Sequence, residues 1–98
     1  MASVSTHVLD GAAGGPRVGL AVTLADAEGA VLARGRTDER GRVEDLATGL
    51  APGRYRLTWA TGAPFLAEVA ATVDLAEERH YHVPLLLSGA SAVVYLGV

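Results

Sequence analysis

Cysteine is missing altogether from the 98 residues. That excludes a disulfide framework and a thiolate nucleophile, and leaves the redox compartment undetermined. Aromatic side chains are scarce, five in all, so a core built from this chain must draw its energy from many small aliphatic contacts. Half the residues are hydrophobic, mostly Ala, Val and Leu. A chain of this size buries somewhat over ~60% of the surface its unfolded form exposes, and self-association would help it. A basic patch is missing too. The formal charge of −3 is spread along the sequence, which argues against nucleic acid or a membrane as partner. No apolar run approaches the ~18 residues of a membrane span, and the first residues hold no basic region followed by an apolar stretch. The expectation is one soluble, cytoplasmic domain over residues 1–98.

What is present is a succession of short alternating segments. Val4, Thr6 and Val8 alternate with Ser3, Ser5 and His7 up to Asp10-Gly11, the period of a half-buried strand with His7 on its more polar face. Residues 12–16 form a Gly-rich turn, and residues 18–25 follow as a strand with Val18, Leu20, Val22 and Leu24 on one face. Asp26-Ala27-Glu28-Gly29 closes a hairpin onto residues 30–37. A second turn, Thr37-Asp38-Glu39-Arg40-Gly41, places Arg42 where a short strand begins, with Gly41 free to take a positive φ. Strands are expected at 54–59, 68–75 and 80–88, and a last one begins at Ala90. Alanine-rich residues 67–76 favour helix by propensity alone, but Val69, Thr72 and Val73 are β-branched and favour strand. Seven or eight strands with turn signals every eight to twelve residues indicate an antiparallel β-sandwich.

Chemistry concentrates at His80-Tyr81-His82-Val83-Pro84. Alternate side chains of a strand share a face, so His80 and His82 point the same way. An imidazole with an ordinary pKa near ~6.5 is acid, base or ligand at neutral pH, and a pair of histidines on a wet sheet face is the plain alternative. With His7 the pair makes a conceivable three-histidine zinc site, though nothing in the sequence predicts its supporting partners. A nucleophilic serine drawn from Ser88 or Ser91 with Asp10 or Asp74 lacks a Gly-x-Ser-x-Gly elbow. The glycines at 11–15 are followed by neither a helix nor a Lys-Ser/Thr pair, so they make a turn and not a phosphate loop.

Three separated motifs resemble the 5-hydroxyisourate hydrolases, transthyretin-like enzymes of urate degradation. Ser5-Thr6-His7-Val8-Leu9-Asp10 with Gly14-Gly15-Pro16 is similar to the family's first signature, and Thr37-Asp38 with Gly41-Arg42-Val43 to its second, although Arg40 stands where an aspartate is usual. His80-Tyr81-His82-Val83-Pro84-Leu85-Leu86-Leu87-Ser88 resembles the third almost letter for letter. The resemblance implies a transthyretin-like sandwich of two four-stranded sheets, with the family's short helix reduced or absent because only about one turn fits between Trp59 and Phe65. It implies hydrolysis of 5-hydroxyisourate to 2-oxo-4-hydroxy-4-carboxy-5-ureidoimidazoline, with His7, Arg42 and His82 catalytic and no cofactor or metal. His7 and Arg42, with Tyr95, would also contact substrate. His80, Ser88 and Val98 are supporting positions. One histidine would deprotonate water while the other orients it or returns a proton, and the forked Arg42 suits the substrate's oxygens. A homotetramer, a dimer of dimers, is implied as well.

The tail departs from the family's Tyr-Arg-Gly-Ser ending: Tyr95 and Gly97 are kept, while Leu96 and Val98 replace arginine and serine. In an extended tail both fall on the face of Ala92 and Val94, turning one polar patch apolar. Two outcomes stay open. Either the enzyme still works, the terminal carboxylate replacing part of what serine supplied, or the chain is a non-catalytic transthyretin-like protein that binds a more apolar small molecule.

Overall fold

Apolar and polar residues alternate through nine strands in the computed structural model, which describes residues 1–97. These are β1 (Ala2–Asp10), β2 (Gly15–Pro16), β3 (Ala21–Asp26), β4 (Val31–Arg36), β5 (Arg42–Leu50), β6 (Gly53–Ala60), β7 (Val69–Leu75), β8 (His80–Ser88) and β9 (Ser91–Val94). Val98, a supporting position in the sequence reading, lies outside the described residues.

The strands form two sheets. In one, β1 runs beside β8 from Ser3↔His80 to Asp10↔Leu87, and β9 pairs with the far edge of β8. The other edge of β1 is shared: β5 takes it from Ala2↔Leu50 to His7↔Arg42, and two-residue β2 takes its end at Leu9 and Asp10. This sheet therefore has five strands but is only four wide. The second sheet is ordered β4-β3-β6-β7. The architecture is the transthyretin-like β-sandwich that the motifs imply, and no helix occurs among the described residues, so none there is long and apolar enough to cross a membrane.

Between the sheets, Val4, Val8, Val22, Leu24, Leu57, Trp59 and Leu85 lose all their exposure. One polar group joins them with its needs met. Thr6 Oγ1 donates to the Val83 carbonyl at 2.6 Å and accepts from Trp59 Nε1 at 3.1 Å, tying the sheets together. An unpaired hydroxyl here would cost about 1–3 kcal/mol. Because side chains alternate, burying Val4, Thr6 and Val8 turns Ser3, Ser5 and His7 outward, and burying Tyr81 and Val83 does the same for His80 and His82.

Three expectations are corrected. The β1–β8 pair is parallel within an otherwise antiparallel sandwich, since periodicity states which face is buried and not which strand lies alongside or in what direction. Val18 is 63% exposed and does not share the buried face of Leu20, Val22 and Leu24. Gly19, at φ 74, breaks the run before β3 starts. The strand at Arg42 is nine residues long. Its pairing with β1 shifts register twice, which scrambles the alternation that would have announced it.

Candidate active site

The outer face of the β5-β1-β8 layer carries the histidines. Cross-strand pairing sets His7 against Arg42, Ser5 against His82 and Ser3 against His80. Three separate stretches thus meet on one surface, and a groove of about 400 Å³ opens there, lined by Ser5, Thr6, Arg42, Glu44, His80 and His82.

The turn before β5 presents Arg42. Asp38 Oδ1 accepts the backbone N–H groups of Arg40 at 2.9 Å and Arg42 at 3.0 Å, and the Arg42 N–H, then that of Arg40, hold this carboxyl below its ordinary pKa. Gly41 turns the chain at φ 79 with no room for a side chain, since a Cβ would stand 2.5 Å from the Val8 carbonyl oxygen. The unusual Arg40 does its part through the backbone: its carbonyl accepts a hydrogen bond from His7 Nε2 at 2.8 Å. A carbonyl only accepts, so His7 Nε2 carries the proton, and in the neutral ring Nδ1 is the bare nitrogen.

His82 is held differently. Its Nδ1 lies 2.7 Å from Ser5 Oγ, and the same oxygen lies 2.8 Å from His80 Nε2, while His80 Nδ1 lies 2.7 Å from Ser3 Oγ. Burial, followed by the charge of Arg42 and the neighbouring His7 and His80, pushes the His82 pKa below its ordinary value. The ring is therefore neutral at pH 7, and the nitrogen not facing Ser5 is Nε2. Above it, Gly97 forms a bridge to His82, donating its N–H to the His82 carbonyl at 2.8 Å.

Not every candidate reaches this groove. Tyr95 and Leu96 line a second cleft of about 350 Å³ between the sheets, with Val73, Leu75, Tyr81, Val83 and Val94. Leu96 thus keeps the company of Val94, as the extended tail implies, without making the histidine groove apolar. Ser88 ends β8, six positions or roughly 20 Å along the strand from His82. The three histidines do not converge as a metal site would require. Both nitrogens of His80 face serines and Nε2 of His7 faces a carbonyl, and among the described residues no cluster of three metal-ligating side chains occurs. Asp74, a candidate for a serine triad, is on the other sheet, bound to Arg54 at 2.7 Å.

Ser3, Ser5, Glu44 and Gly97 were missed as site residues by sequence reasoning. Ser5 carried one available signal, its place two residues before His7 on the same strand face. The others depend on which strands lie side by side.

The sequence model of the HIUase/Transthyretin family matches residues 4–97. The chain belongs to this family. A 5-hydroxyisourate hydrolase of Caulobacter vibrioides is 35% identical over 114 residues, covering 99% of each chain. Among solved structures, 5-hydroxyisourate hydrolase of Klebsiella pneumoniae superposes with a TM-score of 0.90 at 31% identity over 100% of both chains. Sea bream transthyretin in complex with thyroxine reaches 0.89 at 28% identity, covering 98% of this chain and 95% of that one. The HIUase/transthyretin fold thus carries at least two kinds of named protein, and the side chains in the groove must decide between them.

Proposed function

We propose that the chain hydrolyses 5-hydroxyisourate to 2-oxo-4-hydroxy-4-carboxy-5-ureidoimidazoline in urate degradation. The observation that carries this reading is the meeting of His7, Arg42 and His82 on one sheet face, in a protein similar to named 5-hydroxyisourate hydrolases along its length. The substrate is a planar cyclic amide, so hydrolysis needs a deprotonated water beside a ring carbonyl and a stabilised oxyanion.

His82 is the general base in this scheme. Its burial keeps the ring neutral where an exposed histidine would be partly charged, and its bare Nε2 takes the proton of the attacking water. Arg42 binds the substrate's carbonyl oxygens and stabilises the charge that grows on the attacked one, where a forked, permanent cation is suited to the task. His7, with Nε2 fixed by Arg40, offers Nδ1 to orient water or substrate. Gly97 lays the tail against His82, while Tyr95, in the inter-sheet cleft, takes no part in this scheme. We place the working enzyme in a homotetramer, a dimer of dimers, consistent with the exposed apolar Leu86, Val93 and Tyr95 along β8, β9 and the tail. A monomer at micromolar concentration on a sizing column would remove that element.

The test is the absorbance decay of freshly generated 5-hydroxyisourate. Purified protein is expected to accelerate it and His82→Ala to abolish the acceleration. No difference between protein and buffer ends the reading. A second reading, small-molecule binding without turnover, draws on the apolar cleft that contains Leu96 and on the likeness to sea bream transthyretin. It predicts saturable binding of an aromatic apolar ligand, weakened by Leu96→Arg.

A further inference from the structure

Ser3, His80, Ser5 and His82 form an unbroken line of side chains across the β1–β8 pair, with oxygen–nitrogen distances of 2.7, 2.8 and 2.7 Å. Each serine has one hydroxyl proton and each neutral imidazole one N–H. Ser5 can donate to only one of its two histidines and must accept from the other, which leaves two arrangements for the whole line. In the first, His82 Nδ1–H donates to Ser5, Ser5 to His80 Nε2, and His80 Nδ1–H to Ser3, so His82 Nε2 is bare and basic. In the second every bond is reversed, and His82 Nε2 carries a proton and is an acid.

We propose that this line is a proton relay by which His82 changes between its base and acid forms without becoming charged. Its purpose rests on the hydrolase reading. Ser5 and His80 act through His82 and need not touch substrate.

The groups around His82 give the relay its value. Arg42 on β5 and His7 on β1 stand by the ring, Glu44 on β5 lines the same groove, and the ring itself is half-buried. An imidazolium beside a guanidinium is costly to form, and a base that must hold a proton through an intermediate would face that cost. The relay avoids it. As water adds to the ring carbonyl, its oxygen bonds to carbon and its proton goes to His82 Nε2. The Nδ1 proton moves to Ser5, the Ser5 proton to His80 Nε2, the His80 Nδ1 proton to Ser3, and one proton leaves to solvent beside exposed His80. When the carbon–nitrogen bond breaks, His82 Nε2–H passes to the leaving nitrogen and the line runs back, taking one proton from solvent. The sum is water divided between carbon and nitrogen, with the first arrangement restored.

The relay is tested first without substrate, by 15N NMR of the imidazoles in ligand-free protein at neutral pH. The two arrangements require His80 and His82 to share one tautomer, so their Nδ1–H fractions are expected to be equal in the wild type and to become independent in Ser5→Ala. Opposite tautomers in the wild type overturn the relay whatever the protein hydrolyses. Turnover supplies the second arm. Ser5→Ala is expected to lower kcat for 5-hydroxyisourate about 100-fold, at the low end of what positioned proton transfer contributes, with KM changed less than about twofold, and Ser5→Thr to restore most of the loss. Wild-type kcat in Ser5→Ala, or a folded Ser5→Thr as slow as the alanine variant, overturns the proposal. If the wild type fails to turn over 5-hydroxyisourate, the hydrolase reading falls and the tautomer measurement still decides the relay.

Discussion

Replacing Gly97 with alanine is expected to disable the groove while leaving the sandwich folded. A Cβ at this position would stand 2.8 Å from His82 Cδ2, 3.2 Å from its carbonyl oxygen and 3.4 Å from Cγ. Carbon pairs settle at about 3.5–4.0 Å, so the ring must retreat by roughly 0.7–1.2 Å if the tail holds. The tail is held by the Gly97 N–H on the His82 carbonyl, and the ring by its 2.7 Å contact with Ser5. A shift of that size disturbs the ring's alignment with Ser5 and misplaces Nε2. A displacement near 1 Å costs on the order of 100-fold in rate, so kcat for 5-hydroxyisourate should fall about that much, read from absorbance decay. If the tail yields instead, His82 loses its cover, and its pKa should rise toward the ordinary value in an NMR titration. Thermal unfolding should move little, because no core side chain changes. A variant with wild-type kcat and an unmoved His82 titration would refute the claim that glycine is there to let the tail lie against the ring.

The lowered pKa of His82 carries a pH prediction. The unfolded chain binds a proton near pH ~6.5 that the folded ring refuses, so this group's contribution to stability is complete above that pH and is lost as pH falls through the lower folded value. Denaturant titrations should show the decline, and the acid limb of kcat/KM should lie below the ordinary histidine value. Arg42→Lys keeps the charge and loses the fork; kcat/KM should drop on the order of 100-fold with the fold intact by circular dichroism. Gly41→Ala combines a positive φ with a Cβ 2.5 Å from the Val8 oxygen and 2.9 Å from Pro16 Cβ. It should cost about 2–4 kcal/mol in urea unfolding, and a cost under about 0.5 kcal/mol would show that the turn relaxes freely.

Period-2 alternation was legible wherever a strand had one wet face and one buried face. It was lost in β5, where two register shifts move apolar residues off the pattern, and at Val18, which the alternation included and Gly19 detached. The alanine-rich stretch resolved as strand, as its β-branched residues required: β7 lays Val69, Thr72 and Val73 along β6. His7, Arg42 and His82 were nameable from their motifs, but their proximity was not. They are up to 75 positions apart, and nothing local states that β1 lies parallel to β8.

By itself the sequence determined which faces are buried, because alternation and turn residues act over a few positions, and it supplied the histidines and the arginine of the groove. Tertiary structure alone decided what surrounds them. Register put Ser5 between two imidazoles, the path of the tail set Gly97 on His82, and Leu96 went into the inter-sheet cleft instead of the groove. Proton positions and pKa values depend on neighbours within a few ångströms, and those neighbours come from strands far apart in the chain.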